Sequence, residues 1–301
     1  MAEQADKEAS QEQPDAVTIS GLIARSIGSS VAQMKEHEAG LRAGEDPDHV
    51  RKTRVAVRRL RSNLRTFEEF LDSERTKPVI EELGALAAEL GGGRDREVLA
   101  ARIRGDAKVL PEHDRRLVED LLQVLEEEIR VARVSAVAYL DSERFTMLFA
   151  DLETLASAPP VNAAASVRAA AVAGPLVAGP WDKLRKGVRG LRRNPADAQL
   201  HRIRILAKRA RYAAQAVEPA VEDAHPFAAA AAVLQTILGD HQDAVTTEAW
   251  LAAAPTSGRV AFVAGQLAGL ERAAAMEMRG KWKEAWEALA NPALREWMGP
   301  A

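Results

Sequence analysis

The chain has 301 residues, 47% hydrophobic and 4% aromatic, with a formal net charge of -3 and no cysteine. That is enough apolar material for a substantial core in one large domain or two smaller ones, and the missing thiols exclude disulfides, thiolate metal sites and cysteine nucleophiles. No apolar signal segment stands at the N-terminus and no charge-free apolar run reaches the length of a membrane span, so a cytoplasmic protein with no membrane partner is expected.

Residues 1–15 read as a polar, disordered tail. From about residue 16 the pattern is helical throughout, rich in Ala, Leu, Glu and Arg and without sustained period-two alternation. Helices are predicted near 17–42, 48–72, 76–91, 95–105, 112–140 and 142–156. A second series follows near 163–173, 177–193, 197–217, 225–238, 241–253, 256–279 and 281–298, with Pro or Gly at many of the breaks. The stretch ASAPPVNAAAS separates the two series, giving halves of about 16–156 and 163–298 within a single unit at 16–298.

The halves echo each other. At an offset of 150, Lys35 falls on Arg185, Arg42 on Arg192, Arg54 on Arg204, Arg58 on Lys208, Arg59 on Arg209 and Arg61 on Arg211. The offset becomes 148 where Gly91 and Asp95 fall on Gly239 and Asp243, and 137 where Phe145 and Leu152 fall on Trp282 and Leu289. The expected fold class is therefore all-α: two pseudo-twofold-related helical-bundle halves, an internal duplication, around a central basic groove or pore.

Charge is distributed unevenly. Seven cations lie between Arg51 and Arg65 and five between Arg202 and Arg211, and neither window holds an acid. The rest of the chain has 29 Lys and Arg against 44 acids, so these windows are cationic islands in an acidic protein, a pattern that suits a focused anion site. At about 100° per residue, Arg51, Arg54, Arg58, Arg61 and Arg65 share an arc of about 80°, beside an apolar arc of Val50, Val57, Leu60, Leu64 and Phe67. His201, Arg204, Lys208 and Arg211 repeat the stripe beside Leu200, Ile203, Ala207, Ala210 and Ala214. A stripe adjacent to buried surface lines a groove between helices.

Aligned like charges repel by a few tenths of a kcal/mol per pair, so the stripes favour a neutralising anion. Arg51 to Arg65 spans roughly 21 Å of helix, a ladder that matches a linear polyanion better than one small phosphate. Guanidinium forks bind phosphate oxygens bidentately and stay charged. Lys35 with Arg42, and Arg185 with Arg192, are placed to thicken the two walls. The competing reading is internal pairing with carboxylates on adjacent helices.

These residues resemble the CHAD domain family. VRKTRVAVRRLRSNL and LHRIRILAKRARY are similar to its two Arg-rich helices, and LGGGRDREVL and LGDHQDAVTTEAWL to its two later signatures. Arg51 stands where the family has its first histidine, which argues against chelation or phosphoryl relay by two histidines. The resemblance implies non-catalytic binding of inorganic polyphosphate along a basic pore, with association with polyphosphate granules. Its contacts carry over to Arg51, Arg54, Arg58, Arg61, His201, Arg204, Lys208 and Arg211, with Arg59 and Arg209 on the flank. Gly91 with Asp95, and Gly239 with Asp243, read as helix termini whose aspartates hold the basic side chains.

Other chemistry finds little support. EEEIR at Glu126–Arg130 imitates a triphosphatase ExExK strand but lies within a helical run, and no P-loop, GxGxxG or HExxH occurs. The histidines are scattered, so neither a metal nor another cofactor is expected. Trp282, Trp286 and Trp297 read as core packing rather than a base-stacking platform. The alternatives are a nucleic-acid binder using the same stripes, or a scaffold or regulator of enzymes that act on polyphosphate.

Overall fold

The computed structural model describes residues 17–43 and 47–299, and the expected tail at 1–15 lies outside the described residues. Among the described residues the chain is all-α, with nine α-helices and no strand. In chain order these are α1 (Ile19–Ala43), α2 (Pro47–Thr66), α3 (Ser73–Asp106), α4 (Glu112–Leu140), α5 (Glu143–Ser157), α6 (Ala169–Arg189), α7 (Asp197–Val217), α8 (Ala224–Ala253) and α9 (Gly258–Leu289).

Starts follow local chemistry. Asp72 caps α3 by accepting the Glu74 N–H, and the Ser142 hydroxyl accepts the Phe145 N–H at the start of α5. Four breaks predicted from Gly and Pro are absent: α3 runs through Gly91–Gly93, α6 through Gly174 and Pro175, α8 through Gly239, and α9 through Gly280. A helical Gly costs about 1 kcal/mol and a Pro about 3. Each buried Leu returns about 1.5–3 kcal/mol, and α3 alone buries Leu83, Leu86, Leu90 and Leu99.

The larger core draws on all nine helices, through residues such as Ile27, Leu60, Phe67, Leu86, Leu140, Val177, Leu200, Phe227 and Trp282. Trp181 stacks on Trp286 at 5.3 Å between centroids and meets Phe227 edge-on, so aromatic residues fill this core as expected. A separate, smaller core joins the far halves of α3 and α8 to α4 and α9 through Ile103, Leu121, Leu122, Leu125, Leu251, Val263 and Leu267. Within the larger body α2 packs on α1 and α3, α7 packs on α6 and α8, and α2 and α7 pack on each other. That last contact places the two arginine-rich helices side by side.

Candidate functional site

The apolar arcs anchor both helices. On α2, Val57 and Leu60 are wholly buried and Leu64 and Phe67 nearly so; on α7, Leu200, Ala207, Ala210 and Ala214 are wholly buried. With those sides fixed, the adjacent stripes are held half-buried at Arg54, Arg58, Arg61, Arg204, Lys208 and Arg211. Because α2 lies against α7, the stripes face each other. Arg58 Nε donates to the Tyr212 hydroxyl across the seam at 2.8 Å.

Lys208 records the convergence electrostatically. Burial, reinforced by Arg58, Arg204, Arg61 and Arg209, pushes its ammonium pKa down from 10.5 to about 8. Two of those neighbours come from α2 and two from α7, and none of the five has an ion pair among the described residues. Burial also lowers the pKa of Arg61, with Arg65 adding to the effect, and burial lowers that of Arg54 against the pull of Asp95. The buried Nε atoms of Arg61, Arg204 and Arg211 have no hydrogen-bond partner among the described residues. Such donors are rarely left unsatisfied in a protein interior.

Two clefts open along the seam. One, of about 340 Å³, is lined by Arg51, Arg54, Arg58, Arg94 and Arg204 together with Asp95, Asp243, Thr246 and Thr247. The other, of about 620 Å³, is lined by Arg58, Arg61, Arg65, Lys77, Lys183, Lys208, Arg209 and Tyr212, with Glu68 and Glu81 as its acids. Arg58 lines both. Glycines on the flanking helices make room for the guanidinium groups: a Cβ on Gly84 would stand 3.2 Å from Arg61 Nη2, on Gly91 3.2 Å from Arg54 Nη1, and on Gly239 3.5 Å from Arg204 Nε. Gly91 and Gly239 are therefore not helix termini. Both sit in mid-helix: at Gly91 the Arg54 guanidinium crowds the space a Cβ would need, whereas at Gly239 a Cβ would meet Arg204 at ordinary contact distance.

Comparison with known proteins supplies the family. The sequence model of the CHAD domain matches residues 25–252. This chain belongs to the CHAD domain family. Uncharacterized proteins from two strains of Mycobacterium tuberculosis are each 31% identical over 258 residues, covering 81% of this chain and 48% of their own length. The chain thus spans about half the length of the curated relatives it matches. In fold it is similar to PptA from Streptomyces chartreusis, with a TM-score of 0.73 at 21% identity over 90% of this chain and 99% of that one. It is also similar to the CHAD domain from the plant Ricinus communis, with a TM-score of 0.62 at 22% identity over 96% and 94% of the two chains.

Within this CHAD domain the predicted site residues separate into two groups. Arg51, Arg54, Arg58, Arg61, Arg65, Arg204, Lys208 and Arg209 line the clefts. Of these, Arg51 pairs with Asp48 at 2.6 Å and Arg54 with Asp95 at 3.2 Å, while the other six carry no ion pair among the described residues. Arg54 also donates to the Leu90 carbonyl at 2.7 Å, and Asp95 holds a basic side chain as expected. Asp243 lines the first cleft with no ion pair among the described residues, and burial raises its pKa against the opposing pull of Arg204 and Arg102.

The second group lies off the clefts. Lys35 pairs with Glu153; Arg42 pairs with Glu38 and Asp141 and donates to the Leu140 carbonyl; Arg185 pairs with Asp182 at 2.7 Å. These three do not thicken the walls, because acids within reach already hold them. Arg192 and Arg59 are exposed away from both clefts. Arg211 donates to Gln235 at 3.3 Å and lies over the Tyr212 ring, and His201 is half-buried beside the seam rather than within it. Arg94, Lys77, Lys183 and Tyr212 were not predicted. Lys77 and Arg94 come from α3 and Lys183 from α6, helices whose spacing carries no predicted stripe, while Tyr212 closes the motif LHRIRILAKRARY on α7.

Proposed function

We propose that this domain binds inorganic polyphosphate along the α2–α7 seam and does not act on it chemically. The reading rests on one observation: Lys208, Arg58, Arg61, Arg204 and Arg209 are brought together with no carboxylate among the described residues in an ion pair with any of them. Gathering like charges in partly desolvated surroundings costs stability unless an anion completes the site. A phosphate chain supplies a negative charge at every unit, and its oxygens match guanidinium forks. The clefts meet at Arg58, so the proposed ligand passes that side chain. The resemblance of the Arg-rich helices to those of polyphosphate-related CHAD proteins points the same way. In this reading the groove is central, the domain is a duplicated unit, and its place in the cell is cytoplasmic, at polyphosphate granules.

Binding of labelled long-chain polyphosphate tests this directly. Affinity is expected to fall steeply with salt, as it does where phosphates displace counterions from nucleic acids. Single- or double-stranded oligonucleotide at equal phosphate concentration is expected to compete poorly, since the seam is narrow and the remainder of the chain is acidic. Equal competition would sink the assignment to polyphosphate. Arg58→Glu combined with Lys208→Glu is expected to abolish binding with helicity unchanged, whereas unfolding of that variant would support an internal ion-pair role.

A further inference from the structure

We infer that the groove between α6 and α7 is an exit subsite, which grips the polyphosphate chain after it leaves the α2–α7 seam. This rests on the reading above that the seam takes polyphosphate. A third cleft, of about 620 Å³, is walled by Lys183, Lys186, Arg202 and Arg209 and floored in part by Gly187 and Gly190. All four cations are exposed, none has an ion pair among the described residues, and no acid lines the groove. Lys183 and Arg209 also line the second seam cleft, so the basic surface continues from one into the other without a gap.

The first half provides an internal comparison. At the offset of 150, Lys183 falls on Gln33, Lys186 on Glu36 and Arg202 on Lys52. Lys52 is already paired with Asp48 at 3.1 Å. Gly187 falls on His37 and Gln199 on His49. Those two rings meet edge-on at 5.2 Å between centroids, and the His49 ring lies where a Cβ on Gly40 would be. The corresponding groove in the first half is thus plugged by imidazoles and bordered by a neutral and an acidic side chain. In the second half it is open, and a Cβ on Gly187 would press to 2.9 Å from Leu206, so only glycine leaves this floor undisturbed. Of the first-half equivalents only Arg59, opposite Arg209, is a cation without an ion pair among the described residues, so a polyanion emerging from the seam meets four unpaired cations on the α6 side against one on the other, and the bound chain acquires a direction.

An exit subsite contributes only when the ligand is long enough to reach it. The test measures binding of tripolyphosphate and of long-chain polyphosphate to the wild type and to a variant with Lys186→Ala and Arg202→Ala, the two groove cations that do not line the seam clefts. Exposed lysines and arginines change to alanine without disturbing the core, and an unchanged melting temperature checks this. Long-chain affinity is expected to fall about fivefold and its salt slope to flatten by roughly 1.5, while tripolyphosphate affinity stays within about twofold. A control variant with Arg25→Ala and Lys108→Ala removes as much charge elsewhere and is expected to leave both affinities unchanged. Undiminished long-chain affinity in the groove variant, an equal loss for both ligands, or an equal loss in the control would each overturn the exit subsite while leaving the seam intact. A wild type that binds neither ligand would overturn the seam reading, and this one with it.

Discussion

Lys208→Met separates a binding cation from a structural one. Methionine keeps most of the length and apolar stem of lysine but carries no charge. In the folded chain the ammonium is held among Arg58, Arg204, Arg61 and Arg209 and loses its proton near pH 8 instead of 10.5. A depression of that size corresponds to at most about 3 kcal/mol against the folded state at pH 7. The variant should therefore be more stable than the wild type, with a melting temperature higher by about 5 °C given the usual unfolding entropy per residue for a chain of this size. The sign follows from proton counts. Between about pH 8 and 10.5 the folded wild type has shed a proton that the unfolded chain keeps, so wild-type stability rises with pH and its deficit against the variant closes across that window. Calorimetry at pH 7 and at pH 10 reads both numbers. Polyphosphate affinity should move the opposite way: weaker in the variant, and in the wild type declining as pH rises through 8. A lower melting temperature for Lys208→Met at pH 7 would refute the reasoning, because it would mean that the charge is already compensated within the protein.

Arg102 forms a two-point pair with Glu271, which is only 1% exposed, so Arg102→Met should cost about 3–5 kcal/mol in urea unfolding by leaving that carboxylate buried without its partner. Asp106 is pushed up from 3.8 to about 6, first by burial and then by Glu271. Its ionisation thus opposes folding as pH rises through that window, and Asp106→Asn should raise the melting temperature at pH 7 with the gain vanishing below pH 3.8. Gly239→Ala places a Cβ at ordinary contact distance from Arg204 and should stabilise α8 by about 0.5–1 kcal/mol in thermal unfolding without loss of binding. Gly91→Ala crowds Arg54 at 3.2 Å and should displace its guanidinium from the Leu90 carbonyl, which offsets the helical gain and weakens polyphosphate binding in the same titration.

The legible part of this site was periodic. Arg54, Arg58, Arg61, Arg204 and Lys208 recur at helical spacing beside Leu60, Leu64, Leu200 and Ala207, so both the buried face and the cationic edge of α2 and α7 follow from residue order alone. What the sequence hid is set by neighbours distant along the chain. Glu153 and Asp141 claim Lys35 and Arg42 from other helices, and only three-dimensional packing brings them there. Gly91 and Gly239 look like helix ends because glycine usually breaks helices, yet both lie inside long helices, and Gly91 clears space there for Arg54 of α2. Lys77, Arg94 and Lys183 are hard to see for the opposite reason: cations on the polar side of α3 and α6 form no stripe that would distinguish them from a solvated face.

The two arginine-rich helices reach the same arrangement with different cores, and the difference bears on how the site is held. On α2 the buried positions are large, Val57, Leu60, Leu64 and Phe67; on α7 most are alanine, Ala207, Ala210, Ala213, Ala214 and Ala216. Small side chains let helices approach closely and have few alternative rotamers, so α7 has little freedom to tilt and move its cations into solvent. Lys208 is the cation on that rigid helix whose pKa is most depressed, and Arg58, which faces it from α2, is tied to Tyr212 of α7 by a hydrogen bond that fixes the guanidinium plane. A site whose charges cannot relax apart retains its repulsion in the free protein and loses it when an anion arrives, without further ordering of its side chains. The alanine-rich packing of α7 and the unpaired charge at Lys208 are thus two parts of one arrangement: close packing keeps the cations together, and the bound anion removes the repulsion that results.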